Sequence, residues 1–221
     1  MKTFLSMGAG PGLGFATAER FAKEGFQIVL AARSAAKTQQ LADKLKSKGH
    51  TAEARTVDSG DPESVAKLVA EVEKQYGSID VLHYNAASVR KAALAEQPRS
   101  TFFDDLAVNI GGALVAAQTV APKMEERKSG AILLTGGGLA LTPHPDYLSL
   151  SIGKAGIRAL AVALFETFRE KGIHVATVTV AVAVAPQSKE AASVAEHFWR
   201  LYNQPKGAWT AEAHYGPAEK G

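Results

Sequence analysis

A single doubly wound α/β domain, one parallel sheet with helices on both faces, is the fold this sequence predicts. Three observations predict it. Near-continuous apolar runs of strand length alternate with longer segments of helical period. Most helical segments stop at a glycine, and a glycine-rich turn joins the first strand to the first helix.

Taken in order, FLSM (4–7) reads as the first strand, GAGPGLG (8–14) as the turn and 12–24 as the first helix. QIVLAA (27–32), AEARTV (52–57), DVLHYN (80–85), AILLT (131–135) and HVATVTVAV (174–182) are the following strands. The helical segments between them are 35–47, 62–76, 100–127 and 147–171. Gly25, Gly49, Gly77, Gly130 and Gly172 stand where a helix ends in the left-handed conformation that glycine tolerates. Residues 188–202 predict a further helix with Val194, Phe198 and Leu201 on one face, and AWTAEAHY (208–215) a last strand. No repeat or linker divides the chain, so residues 1–221 read as one domain. Residues 183–221 form a shortened carboxyl-terminal region serving substrate binding or oligomerisation.

The composition, 46% hydrophobic and 21% charged, is that of a chain with a real core. Net charge is only +3 and the cations are scattered among acids, which argues against a nucleic-acid partner. Cysteine is absent, which excludes disulfides, thiolate chemistry and cysteine metal sites and suits the cytoplasm. Glycines interrupt the amino-terminal apolar run, and the longest later one, VATVTVAVAVA (175–185), is β-branched and short, so no membrane span is expected.

The turn after the first strand carries the chemistry. A strand, a glycine loop and a helix start bring backbone N–H groups and the positive end of the helix dipole toward a phosphate. The strict G-x-G-x-x-G pattern fails because Leu13 holds its third glycine position, whereas Gly8, Gly12 and Gly14 fit G-x-x-x-G-x-G. A Rossmann-like site follows, with Gly8, Gly10, Pro11, Gly12, Leu13 and Gly14 cradling a pyrophosphate. Where an acid would read the ribose hydroxyls of NAD(H), the second strand ends in Ala31-Ala32-Arg33-Ser34. The forked guanidinium of Arg33, with Ser34, suits a 2′-phosphate, so NADP(H) is favoured over NAD(H).

With these residues the chain resembles the short-chain dehydrogenase/reductase family over about residues 1–182. GAGPGLG matches the family's glycine motif, and Asp58 stands where the family contacts adenine. Asn85-Ala86-Ala87 resembles its Asn-Ala-Gly, Asn109 its helix asparagine that holds a proton-relay water, and Lys154-Ala155-Gly156 the segment with the cofactor-binding lysine. The resemblance implies oxidation or reduction of a small alcohol or carbonyl, with Lys154 on the nicotinamide ribose. It also implies a serine after the fifth strand and a tyrosine four residues before the lysine, sharing its helix face. Here Gly136-Gly137-Gly138 follows AILLT, and Leu150 precedes Lys154 by four.

Tyr147 and Ser151 are therefore the candidate substitute acids, with His144 in the same stretch. Pro186 is placed at the nicotinamide face, where the family carries Pro-Gly and a covering segment. Three readings stay open: a short-chain-type oxidoreductase with an atypical proton donor, a non-catalytic NADP(H)-binding sensor or scaffold, and a structural protein with a vestigial cleft that binds no dinucleotide. A small-molecule substrate is expected, and homo-oligomerisation is left open.

Overall fold

The computed structural model describes residues 1–217; the last four of the carboxyl-terminal region, 218–221, lie outside the described residues. Seven strands form one sheet: β1 (Thr3–Met7), β2 (Gln27–Ala32), β3 (Ala52–Thr56), β4 (Val81–Tyr84), β5 (Gly130–Thr135), β6 (Ile173–Val180) and β7 (Glu212–Tyr215). Their order is β3-β2-β1-β4-β5-β6-β7, and every neighbouring pair is parallel. Parallel neighbours need crossovers, which α1 (Leu13–Ala22), α2 (Ala35–Ser47), α3 (Pro62–Tyr76), α4 (Arg99–Leu106), α5 (Gly112–Glu126), α6 (Leu148–Glu170) and α7 (Lys189–Tyr202) supply.

The apolar strands bury both faces because side chains alternate across the sheet. Leu5 and Met7 join a core with Val69, Val120 and Ile157, while Phe4 joins the opposite core with Phe21, Leu45 and Phe198. Phe4 stacks on Phe21 at 4.5 Å, and Trp199 and Tyr202 of α7 meet Phe21 edge-on. Strand order reverses between β1 and β4, and that switch point opens a crevice beyond the strands' carboxyl ends.

The helix expected over 100–127 is two helices joined by a π-helical turn, Ala107–Gly111. Tyr84 Oη donates to Val108 O at 2.6 Å, and a Cβ on Gly112 would collide with that hydroxyl and with Ser59 O. The extra residue in the turn satisfies this side contact, a frequent sign of a functional segment. Tyr147 lies outside α6 as its flanking residue, and the expected last strand shrinks to Glu212–Tyr215. By length and composition alone, α6 would suffice to cross a membrane. Its inner face, Leu150, Ile157, Leu160 and Ala161, is buried within the protein.

Candidate active site

The glycine loop closes β1 against β2, since Gly8 N and Ala9 N both donate to Ala31 O at 2.8 and 3.1 Å. Gly8 has φ +81, and a Cβ there would overlap Ala86 N, so only glycine lets the loop pass this close. From there α1 starts at Leu13 with Gly12 before it. Among the described residues, no protein acceptor engages the amides of Gly12, Leu13 and Gly14. Gly10 and Gly12 border open space. Such an arrangement can receive a phosphate at the positive end of a helix.

Next to it is a hollow of about 310 Å³ lined by Gly8, Gly10, Arg33, Ser59, Asn85 and Ala87, among others. Arg33 is exposed at its rim, while the Ser34 hydroxyl caps α2 by accepting from Lys37 N at 3.4 Å. Asp58 is exposed, and its carboxylate accepts from Gly60 N at 2.9 Å; its neighbour Ser59 lines the hollow. Ala86 lines it too, and Pro11 faces a separate hollow beside Phe15.

A larger hollow of about 620 Å³ lies toward β5 and β6 and shares Asn85 and Ala87 with the first. Its walls are mostly apolar, including Leu13, Val89, Leu139, Leu150 and the segment 180–184. Lys154 lines it, with the ammonium donating to Thr135 O at 2.6 Å. Burial lowers the Lys154 pKa to about 8. Thr135 is a hub: its hydroxyl donates to Asn85 Oδ1 at 3.0 Å and meets His83 Nε2 at 3.2 Å. His83 Nδ1 faces Ser6 Oγ at 3.1 Å, and Asn85 Nδ2 donates to Gly8 O at 2.8 Å. Desolvation, with the Lys154 charge nearby, pushes His83 down to about 3 and keeps it neutral.

Asn109 sits in the π-helical turn, buried, its amide spanning the Ser88 backbone: Oδ1 accepts from Ser88 N at 2.6 Å and Nδ2 donates to Ser88 O at 3.2 Å. Gly153 on α6 permits this packing, because a Cβ would overlap Asn109 Cβ. Asp105, 1% exposed, ties down the same loop by accepting from Ser88 Oγ, Arg90 Nε and Nη2, Gln97 Nε2 and Ser149 Oγ at 2.6–3.2 Å. Against the opposing effect of burial, the bonds from Arg90, Ser88 and Ser149 and the Arg90 charge hold its carboxyl below the usual range.

Besides Asn109, which lines neither hollow, three expected residues are not brought to this cleft. The Ser151 hydroxyl donates to Tyr147 O at 2.9 Å and accepts from His144 N at 3.2 Å, so helix-start geometry consumes it. Tyr147 is half-buried at that helix start, its ring 5.7 Å from His144, and neither lines the cleft. Pro186 is exposed, and residues 180–184 take the wall assigned to it because the chain leaves β6 at Val180. The sequence reading missed His83, Thr135 and Asp105. A lone histidine inside the apolar run DVLHY was the available signal for the first.

Residues 2–194 match the family model described as short chain dehydrogenase. The chain belongs to that family. The chain is 28% identical over 175 residues to the 3-oxoacyl-(acyl-carrier-protein) reductase FabG of Staphylococcus aureus, covering 79% of the chain and 71% of the relative. It spans 56% of the length of another curated relative. A crystal structure of a short-chain dehydrogenase from Rhodopseudomonas palustris superposes with TM-score 0.88 at 25% identity, covering 98% of this chain and 99% of that one. A metagenomic short-chain oxidoreductase crystallised in complex with NADP shares the fold, with TM-score 0.88 at 22% identity over 99% and 98% of the two chains.

Proposed function

We propose that this short-chain dehydrogenase is an NADP(H)-dependent oxidoreductase acting on a small carbonyl or alcohol without the family's serine and tyrosine. One observation carries the reading: two hollows meet at Asn85 and Ala87 along the carboxyl edge of the sheet, one beside Arg33 and the other beside Lys154. A two-lobed dinucleotide has that shape. The residues fit it, since the glycine loop presents amides without acceptors and open space where side chains would intrude.

Gly8, Gly10, Pro11, Gly12, Leu13 and Gly14 would form the pyrophosphate loop, Arg33 and Ser34 would take the 2′-phosphate, and Asp58 the adenine. Asn85, Ala86 and Ala87 would flank the adenosine side, and Lys154 would reach the nicotinamide ribose. Asn109 serves as a backbone clamp in this reading. The bound nicotinamide supplies hydride chemistry, and the protein supplies position, dryness and a proton. The NADP found in the metagenomic relative supports the cofactor choice. Exposed Leu114, Ile152 and Val162 on α5 and α6 support pairing of two copies, which sedimentation velocity reads directly.

Calorimetry with NADPH and NADH tests the reading. NADPH should bind at least about tenfold tighter, and Arg33→Ala should remove that preference, a change of about 1.4 kcal/mol. No heat with either dinucleotide overturns it. The second reading, a sensor without turnover, is favoured by the apolar walls around Lys154. NADPH binding with no reduction across a carbonyl panel would select it.

A further inference from the structure

We infer that the Lys154 ammonium itself delivers the proton to the substrate oxygen, the role a tyrosine hydroxyl would otherwise fill. This rests on the dinucleotide reading and names the donor that reading leaves open. The geometry removes the other candidates. The Ser151 hydroxyl is engaged at the start of α6, and Tyr147 and His144, their rings 5.7 Å apart, stand there outside the residues that line the cleft. Leu150 occupies the helix position one turn before Lys154, and Gly137 lies against the lysine stem, where a Cβ would sit 3.4 Å from its carbons. Thr135 already donates to Asn85, and Thr142 is an ordinary alcohol at the rim. Among the described residues lining this cleft, Lys154 is the one ionisable group.

Its surroundings suit an acid. Its ammonium donates to a backbone carbonyl, so one proton is anchored while the others remain available to the cleft. The facing elements bring no carboxylate into the cleft to hold the charge. On α4, Asp105 is turned to Ser88, Arg90, Gln97 and Ser149; on β7, Glu212 is held by Arg158 and Thr179; on β4, His83 is buried and neutral. Desolvation alone weakens the ammonium's hold on its proton, to about pH 8, close to where a general acid works best.

The step balances as follows. The carbonyl carbon receives a hydride from the reduced dinucleotide, and the C=O π pair moves onto oxygen. That oxygen takes a proton from the Lys154 ammonium, leaving alcohol, neutral amine and oxidised dinucleotide. Water then reprotonates the amine through the cleft. In the oxidative direction the neutral amine accepts the alcohol proton.

Three measurements on the whole protein test this. In the dinucleotide-free protein, competitive acetylation read by peptide mass spectrometry should give Lys154 a labelling midpoint near pH 8. For the wild type on a panel of small ketones and aldehydes, reduction should fall about tenfold per pH unit above that midpoint. Lys154→Arg keeps a cation but cannot release a proton there; at saturating NADPH, single-turnover reduction should drop by about 100-fold or more and lose its alkaline limb near pH 8. Reduction by Lys154→Arg at the wild-type rate, a flat wild-type alkaline profile, or labelling in the ordinary lysine range overturns the donor assignment and leaves the dinucleotide reading standing. Absence of NADPH binding to the wild type overturns both, and binding without reduction of any carbonyl overturns the donor.

Discussion

Placing a tyrosine at Leu150 and a serine at Gly137 should turn a slow cleft into a fast one. Leu150 and Lys154 line the same hollow one helical turn apart, so a phenol at 150 meets the ammonium. A Cβ at Gly137 meets the Lys154 side chain at 3.4–3.5 Å, ordinary contact, so a serine enters without displacing the lysine. The ring at 150 extends into a space of about 620 Å³. A positioned acid contributes about 10²–10⁴-fold and a polarising donor about 10²–10³-fold, but the two act as a unit and Lys154 already supplies part. The expected gain in kcat/KM at pH 7 is therefore about 10²–10⁴, or about 3–5 kcal/mol of barrier. Stopped-flow NADPH fluorescence with a small ketone measures it, and the alkaline limb should move because the phenol's pKa, lowered by the neighbouring ammonium, replaces the lysine's. A double variant with native circular dichroism and native NADPH affinity but less than about tenfold gain would refute this placement of the reacting carbonyl.

Gly8→Ala should destabilise the protein by about 2–4 kcal/mol in urea titration, from left-handed strain plus collision with Ala86 N. Gly25→Ala, at φ +80 with open space around it, should cost only about 1 kcal/mol and isolates the strain. Lys154→Met should be more stable than wild type at pH 7 by up to about 3 kcal/mol. The folded Lys154 pKa is about 8 against 10.5 unfolded, so wild-type stability rises between those values and denaturation midpoints should converge by pH 10.5. Asp105→Asn should cost about 2–3 kcal/mol by weakening buried charge-assisted bonds, and hydrogen exchange should quicken across residues 88–97. Because its folded pKa is depressed, that contribution is present near neutral pH and lost as pH falls through the folded value.

The sheet was legible in the sequence because strands buried on both faces read as unbroken apolar runs, and GAGPGLG announced the tight turn after β1 because a left-handed residue in close approach leaves a glycine behind. The break at 107–111 was not legible. It is accompanied by a hydrogen bond from Tyr84, far away in sequence, with room provided by Gly112, and no local pattern announces such a contact. Ser151 misled for a related reason: sharing a helix face with Lys154 was the right inference from period, but a serine near a helix start finds backbone partners first. Pro186 misled because motif order was read as position, while the chain leaves the sheet at Val180 and lines the cleft before reaching it.

His83 connects these parts, and its behaviour in acid tests whether they form one network. Thr135 donates to Asn85 and so offers His83 Nε2 a lone pair, which places the ring proton on Nε2 and leaves Nδ1 to accept from Ser6. The donors then run one way, from Ser6 through His83, Thr135 and Asn85 to Gly8 O, fastening β1, β4, β5 and the glycine loop together. A second proton on His83 would be desolvated in a fully buried site with the Lys154 charge nearby, which is why its pKa falls to about 3 from 6.5. Between those values the unfolded chain binds one more proton than the folded one, so stability rises with pH there and drains away in acid. At its steepest the slope is about 1.4 kcal/mol per pH unit. His83→Leu should remove one proton's worth of that slope between pH 6 and 4 in urea titrations, and should weaken NADPH binding because Asn85 then loses the hub that orients it toward Gly8 O. Equal slopes in the two proteins would mean that the imidazole titrates alike in both states, and that the thread of donors is packing without electrostatic consequence.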